Sequence, residues 1–335
     1  MPLTDQDNPA ALDRRFSIAP MMDWTDRHCR YLHRLITKRA LLYTEMAVDQ
    51  ALIHGDATHL ISFDPDEQPV ALQLGGSTPA DLARAARIGE NFGYREINLN
   101  VGCPSDRVQS GRFGACLMRE PDLVADCIKA MQDAVSVPVT VKCRIGVDEQ
   151  DPREALFGFV ETVAAAGADV FIVHARKAWL KGLSPKENRT VPPLDYGLVR
   201  DLKRERPDLS ISLNGGLATL DQCMDEGAGL DGVMVGRAAY QTPWMLRDVD
   251  ARVFGGDHAP ERTEIAALYA DYIDWRMGEG VPLRAMTRHM LGLYHGEPGA
   301  REFRRILTVE PGRPGAGPEV VTRALAAVDS RAAAA

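Results

Sequence analysis

The sequence predicts an α/β protein, a (β/α)₈ TIM barrel followed by a small C-terminal all-helical domain. Eight short apolar runs, each as long as a buried strand, recur between Phe16 and Gly236. Segments with helical spacing separate them, and such alternation indicates a parallel sheet. The eight units occupy about 235 residues, near the roughly 250 that are typical of this barrel.

The strands follow from the apolar runs in chain order. They are FSIAP from Phe16, LLYTEM from Leu41, VALQL from Val70, EINLN from Glu96, VPVTVKC from Val137, DVFIVHA from Asp169, LSISLN from Leu209 and DGVMVG from Asp231. Two intervening helices carry clear end signals. PADLARAARIGENFG follows Thr78 and starts with Pro79, and LATLDQCMDEG ends at Gly227.

The strand pattern stops after Trp244, and helical spacing continues from residue 260 to residue 329. We therefore predict a barrel domain over residues 12–250 and a helical domain over residues 251–329. With 335 residues, of which 45% are hydrophobic, the chain can form the core that these domains need.

Composition narrows the setting and the chemistry. The N-terminus has no basic segment before an apolar run, and no stretch of about 18 apolar residues occurs, so we expect a cytoplasmic protein without signal peptide or membrane span. The six cysteines form no CxxC pair, and the sequence predicts neither a metal site nor a disulfide framework. The net charge of −8 argues against a generally basic surface but permits a local basic face.

Side-chain alternation predicts which strand residues face the barrel interior. In VPVTVKC the three valines share one face, which suits the helix layer, so Lys142 faces inward. The same alternation turns four more polar side chains inward: Gln73, Asn100, His174 and Asn214. Buried polar groups without partners cost about 1–3 kcal/mol each, so this convergence predicts a polar ligand at the C-terminal mouth.

Two glycine motifs follow the last two strands, at residues 214–216 (NGG) and at Gly236-Arg237. Backbone N–H groups beside glycines, together with an arginine, form an anion site, and in barrels this corner often binds phosphate. With Lys142 and His174 near an electron-rich ring, a phosphorylated flavin fits better than a nicotinamide, because the GxGxxG fingerprint is absent.

Cys103 lies in the loop after the fourth strand, within INLNVGCP. Two interpretations are open. The cysteine is either an inert small residue before a proline that sets a turn, or a reactive thiol at the mouth of the barrel.

Two basic clusters raise a similar choice. The loop after the sixth strand has one acidic residue, Glu187, among the basic residues Arg176, Lys177, Lys181, Lys186 and Arg189. The helical tail contributes Arg284, Arg288, Arg301, Arg304 and Arg305. A solvated charged surface is the usual meaning of such a run, and contact with nucleic acid is the alternative.

Segments along nearly the whole chain resemble the tRNA-dihydrouridine synthases, flavoproteins that reduce uridine in transfer RNA. The segments are IAPMMDWTD, VALQLGG, INLNVGCPSDRV, GRFGACLMREP, VKCRIGVD, VHARKAWLKGLSPKENR, LNGGL and VMVGRAAYQTPW. NxNxGCP and VHAR are highly specific in combination. RKAWLKGLSPKENR and HMLGLYHGEPGAREFRR are similar to the A-type branch, which modifies the D-loop near positions 20 and 20a.

The resemblance implies an FMN cofactor that NADPH reduces. The implied FMN contacts are Ala19, Pro20, Met21, Gln73, Lys142, His174, Asn214, Gly215, Gly216, Gly236 and Arg237. Cys103 becomes the catalytic acid, which protonates C5 of uracil while hydride reaches C6. A free cysteine thiol, with a pKa of about 8.5, is mostly protonated at neutral pH and can donate.

The resemblance also implies a tRNA substrate, an FMN-binding catalytic role for residues 12–250 and a tRNA-binding role for residues 251–329. We expect RNA contacts from Asn100, Arg176, Lys177, Lys186, Arg189, Arg301 and Arg304. No membrane contact and no obligate protein partner are expected.

Two rival functions are compatible with parts of this pattern. An FMN barrel that reduces a small molecule, such as a dihydropyrimidine or an enone, would leave the helical tail and the basic loop without a purpose. An RNA-binding chaperone built on an inactive barrel would leave a polar lumen empty, at a cost in stability.

Overall fold

The structure, a computed structural model, describes residues 12–105 and 111–332. Eight parallel strands form a closed barrel in which each strand pairs with its neighbours in the chain and the first pairs with the last. The strands are β1 (Phe16–Ile18), β2 (Leu41–Val48), β3 (Val70–Gly75), β4 (Glu96–Val101), β5 (Val139–Arg144), β6 (Val170–His174), β7 (Ser210–Asn214) and β8 (Gly232–Val235). The predicted barrel and its eight strands are confirmed.

Helices separate the strands along the chain, and several begin where the sequence places a cap. They are α1 (Arg27–Ile36), α2 (Asp49–His54), α3 (Ala57–Ile61), α4 (Pro79–Asn91), α5 (Pro121–Gln132), α6 (Pro152–Ala165), α7 (Tyr196–Glu205) and α8 (Leu220–Glu226). Thr219 accepts the N–H of Gln222 at the start of α8, and Gly227 ends that helix. Pro79 begins α4, as its first-turn position predicts.

Beyond β8 the described chain is helical, as predicted. The helices are α9 (Arg237–Gln241), α10 (Val249–Phe254), α11 (Arg262–Gly278), α12 (Leu283–Met290), α13 (Ala300–Val309) and α14 (Glu319–Ala332). None of the helices in the described ranges is both long and apolar enough to cross a membrane.

The chain divides into two compact units. The first comprises the chain up to Asp23 together with Ala40–Gly236, and the second comprises Trp24–Arg39 and the chain from Arg237 onward. Helix α1 therefore belongs with the C-terminal helices, although it lies between β1 and β2 in the sequence. Within this second unit Asp26 caps α1 by accepting the N–H of Cys29, and it also accepts a hydrogen bond from Arg288.

Some sequence predictions concern residues outside the described ranges. One is the predicted absence of a signal peptide, which concerns the N-terminal residues 1–11. The end of INLNVGCPSDRV falls in residues 106–110.

Candidate active site

The polar side chains predicted to face inward lie on adjacent strands near their C-terminal ends. Asn100 on β4 is the register partner of Lys142 on β5, and His174 on β6 is the register partner of Asn214 on β7. Lys142 Nζ donates to Asn214 Oδ1 at 3.0 Å. Asn100 Nδ2 donates to Gln73 Oε1 at 2.7 Å. The structure thus brings all five together at one mouth of the barrel.

Lys142 is a cationic group of this mouth. Burial lowers its pKa to about 8, and the positive charge of Arg144 acts in the same direction. At neutral pH the side chain is still protonated, so it offers a charged donor to an anionic or electron-rich ligand. Its partner Asn214 is itself fixed, because Asn214 Nδ2 donates to the carbonyl oxygen of Met234 at 2.7 Å.

The turn after β7 has a backbone that favours glycine. Gly215 has φ of +114° and Gly216 has φ of +73°. A Cβ on Gly215 would lie 2.7 Å from His174 Cδ2, and one on Gly216 would lie 2.5 Å from Leu194 Cδ1. The glycines therefore let the side chains of His174 and Leu194 pack closely against the backbone of this turn. Tyr196 secures the turn by donating from its hydroxyl to the carbonyl oxygen of Gly215 at 2.5 Å.

The residues predicted after β1 lie beside the glycine that follows β8. A Cβ on Gly236 would make ordinary contacts of 3.7 Å with Ala19 Cβ and Met21 Sδ. Ala19 is buried and its N–H donates to the carbonyl oxygen of Val235 at 2.8 Å, while Pro20 is half-buried. Arg237 follows Gly236 in the chain as the first residue of α9, within the second unit.

The loop that carries Cys103 is held by the side chain of Asn100. Asn100 Oδ1 accepts the N–H groups of Gly102 at 3.0 Å and Cys103 at 2.9 Å. The N–H of Ala115 donates to the carbonyl oxygen of Cys103 at 2.9 Å. The thiol itself is half-buried and donates to Ser105 Oγ at 3.6 Å. A partly accessible thiol on a fixed backbone can be presented to a ligand at the mouth.

Arg144 is a residue of this region that the sequence interpretation missed. Its buried guanidinium donates to three carbonyl oxygens: Gly102 at 2.8 Å, and Lys177 and Asn188 at 3.0 Å each. Burial lowers its pKa to about 10. Arg144 thereby ties the loop after β4 to the loop after β6. Strand alternation could have identified Arg144, because it lies two residues after Lys142 in VKCR and therefore faces the same side of β5.

Glu96 and Asn98 were also missed. They alternate in phase with Asn100 along β4, and both are fully buried. Thr140 lies opposite Asn98 on β5 and is equally buried. Strand alternation points to these residues as clearly as to Asn100, but they lie deeper than the strand ends from which a ligand site is usually inferred.

Lys177 and Arg176 in the basic loop after β6 bind backbone carbonyl oxygens. Lys177 Nζ donates to the carbonyl oxygen of Gln150 at 2.8 Å, and the guanidinium of Arg176 donates to that of Pro192. Lys186 and Arg189 are exposed. The four predicted RNA contacts of this loop therefore separate into a half-buried pair, Arg176 and Lys177, and an exposed pair, Lys186 and Arg189.

The basic residues of α13 lie in the second unit. Arg301 is exposed and Arg304 half-buried, and their spacing of three residues puts them on neighbouring turns of the helix. Arg305 differs, because its guanidinium pairs with Glu302 at 2.6 Å. Within the described residues, neither Arg301 nor Arg304 forms such an ion pair.

Comparisons with known proteins identify a matching family and relatives of this chain. The family model described as "Dihydrouridine synthase (Dus)" matches residues 17–324. A tRNA-dihydrouridine(20/20a) synthase of Yersinia pestis is 58% identical over 318 residues, 94% of this chain and 92% of that protein. The proteins of that name from Xanthomonas campestris and Vibrio cholerae are 55% and 54% identical, over 95% and 94% of this chain and 95% and 96% of their own lengths.

Proposed function

Because the chain belongs to the dihydrouridine synthase family, we propose that it reduces uridine in tRNA to 5,6-dihydrouridine, with FMN as cofactor and NADPH as reductant. The proposed target is the D-loop at positions 20 and 20a, the positions in the names of the relatives. One observation carries the proposal. Asn100, whose Oδ1 accepts the N–H of Cys103, is the register partner of Lys142, so a thiol and a half-buried cation belong to the same barrel mouth.

The residues present fit FMN. The glycine turn at Gly215 and Gly216 suits a phosphate, and Lys142 suits an electron-rich ring, as do the side chains of Gln73 and His174. When bound, FMN reduced by NADPH supplies hydride to C6 of the uracil ring. We assign its binding to Ala19, Pro20, Met21, Gln73, Lys142, His174, Asn214, Gly215, Gly216, Gly236 and Arg237.

Cys103 supplies the proton in this proposal. Its thiol donates a proton to C5, so that one hydride and one proton convert the C5–C6 double bond to a single bond, and solvent returns the proton to the thiolate. Asn100 holds the turn through its Oδ1 and uses one amide hydrogen on Gln73. Its second amide hydrogen is assigned to a uracil carbonyl.

The uridine must leave its stack to reach the mouth, which costs a few kcal/mol. Contacts with the tRNA backbone offset that cost, and the exposed Lys186 and Arg189 suit them better than the half-buried Arg176 and Lys177. Residues 251–329, with Arg301 and Arg304, are assigned to tRNA binding, and residues 12–250 to catalysis. We also propose that the protein is cytoplasmic.

Mapping dihydrouridine in bulk tRNA from cells with and without this gene tests the function. We expect the modification to disappear at positions 20 and 20a in the deletion strain. The wild-type gene should restore it, and a gene carrying Cys103→Ala should not. An unchanged dihydrouridine map in the deletion strain would refute the proposal.

A further inference from the structure

A chain of hydrogen bonds leads from Cys103 into the barrel interior. The N–H of Cys103 donates to Asn100 Oδ1 at 2.9 Å, and Asn100 Nδ2 donates to Gln73 Oε1 at 2.7 Å. Gln73 Nε2 in turn donates to Asn98 Oδ1 at 2.8 Å. Three side-chain amides from two neighbouring strands are therefore linked in series.

The chain ends on a buried carboxylate. Asn98 Nδ2 donates to Thr140 Oγ1 at 2.8 Å, and Thr140 Oγ1 donates to Glu96 Oε1 at 2.7 Å. Glu96 is fully buried, and its other oxygen pairs with Arg14 Nε at 2.6 Å. The hydroxyl of Tyr43 also donates to Glu96.

The direction of every link is determined by the chemistry of the two ends. A backbone N–H can only donate, so Asn100 must present its oxygen to Cys103 and its NH₂ group to Gln73. The same requirement passes to Gln73 and then to Asn98. Thr140, having accepted from Asn98, must give its only hydrogen to an acceptor, and an ionised carboxylate accepts only. Reversing one amide would set two donors or two acceptors against each other in a buried site.

Glu96 has the donors that the acceptor at the end of this chain needs. Its carboxyl oxygens accept hydrogen bonds from the guanidinium of Arg14 and from the hydroxyls of Thr140 and Tyr43. Burial and the neighbouring Glu96 raise the pKa of Tyr43 well above its usual value, so Tyr43 keeps the hydrogen that it donates. Chains of hydrogen bonds that run in one direction polarise and strengthen each other.

We propose that Glu96 is a positioning residue for the active site, which sets the amide orientations of Gln73 and Asn100 through Thr140 and Asn98 and so holds the turn that presents Cys103. The catalytic consequence rests on the proposed function, in which Gln73 contacts FMN and Cys103 donates the proton. The consequence for the Cys103 turn does not.

The chain of hydrogen bonds from Cys103 to Glu96, called the relay below, can be broken at Thr140 without changing a proposed ligand contact. Thr140→Val replaces the hydroxyl with a methyl group of similar size, so Asn98 loses its acceptor and Glu96 loses a donor. Thr140→Ser keeps the hydroxyl. Thr162→Val makes the same chemical change on α6, where the Thr162 hydroxyl donates only to the carbonyl oxygen of Gly158.

The first readout needs no catalytic activity. Alkylation of Cys103 by iodoacetamide is followed by peptide mass in the purified holoenzyme for all four proteins. We expect Thr140→Val to change the rate of alkylation by about tenfold, the factor that one hydrogen bond of ordinary strength produces. Thr140→Ser and Thr162→Val should match the wild type. Equal rates in Thr140→Val and wild type would overturn the proposal.

The second readout is steady-state kinetics with tRNA. We expect Thr140→Val to lower kcat by about tenfold with little change in the KM for tRNA, and Thr140→Ser to restore it. If Thr140→Val does not fold, Thr140→Ala removes the same hydroxyl without adding a methyl group and takes its place. If the wild type makes no dihydrouridine, the proposed function fails, but the alkylation rates still decide whether the relay holds the Cys103 turn.

Discussion

Cys103 differs from the buried cysteines in both its backbone and its access to solvent. Burial raises the pKa of Cys127, Cys143 and Cys223 to about 12, so these thiols stay protonated inside the core. Cys103 lies half-buried at a strand end, and the side chain of Asn100 fixes its N–H. These surroundings favour the reactive interpretation of Cys103 over the inert one.

Replacing Cys103 with alanine should separate the two half-reactions. We expect Cys103→Ala to leave the reduction of flavin by NADPH unchanged and to slow uridine reduction about 10²–10⁴-fold, the usual contribution of a positioned acid. Stopped-flow absorbance follows the two steps separately. Cys116→Ala, another half-buried cysteine, is the control. Loss of both half-reactions in Cys103→Ala would mean that Cys103 is structural.

The lowered pKa of Lys142 predicts that the stability of the fold depends on pH. Its pKa of about 8 in the folded protein lies below the value of about 10.4 expected in the unfolded chain. Between these values the unfolded chain binds more protons, so the contribution of Lys142 to the free energy of unfolding rises with pH. Below pH 8 the cost of the buried charge is fully present.

The test compares the wild type with Lys142→Met by urea unfolding at pH 7, 8, 9 and 10, after FMN has been removed. Relative to Lys142→Met, the wild type should gain on the order of 2 kcal/mol between pH 8 and pH 10. Parallel pH profiles for the two proteins would contradict this prediction.

At the scale of elements, the loops after β4 and β6 depend on one side chain of β5. Arg144 holds the carbonyl oxygens of Gly102, Lys177 and Asn188, so a single guanidinium joins the Cys103 loop to the basic loop. Asn188 extends this support, because its side chain donates to the carbonyl oxygen of Trp179 and accepts the N–H of the same residue. The loop over residues 176–189 is therefore built around polar contacts.

Removing the guanidinium should loosen both loops together. In Arg144→Met we expect amide hydrogen exchange to quicken about tenfold or more over residues 102–105 and 177–189, since hydrogen bonds from charged groups contribute about 1.5–3 kcal/mol each. Arg153→Met, at an exposed ion pair with Asp201, serves as the control. Faster exchange in only one of the two loops would show that Arg144 does not couple them.

The sequence predicts the barrel well because its signals are local. Apolar runs, caps and side-chain alternation locate the strands and turn Lys142, Asn214 and their neighbours inward. The relay through Glu96 depends on contacts between strands, which no single strand reveals. Likewise, the grouping of α1 with the C-terminal helices depends on packing between segments more than 200 residues apart, which spacing within α1 cannot indicate.

At the scale of the whole molecule, a net charge of −8 is compatible with a tRNA substrate. Distant charges are screened over a Debye length of about 8 Å at physiological ionic strength, whereas each local phosphate contact releases counterions. Local basic groups in both units, not the overall charge, should therefore set the affinity for tRNA.

Single substitutions of four of these basic residues test this directly. We expect Lys186→Ala, Arg189→Ala, Arg301→Ala and Arg304→Ala each to raise the KM for tRNA and to flatten its salt dependence by somewhat less than one unit in slope. Arg305→Ala, whose parent side chain pairs with Glu302, is the matched control in α13. Salt slopes equal to that of the wild type would assign these side chains to a solvated surface.

The central claim is that this barrel reduces uridine within tRNA. The most direct measurement incubates the purified protein with FMN, NADPH and either a tRNA lacking dihydrouridine or free uridine, and then maps dihydrouridine by mass spectrometry. The account predicts a flavin-dependent product at positions 20 and 20a of the tRNA and little turnover of free uridine. Equal turnover of free uridine, or no product in tRNA with a fully reduced flavin, would contradict it.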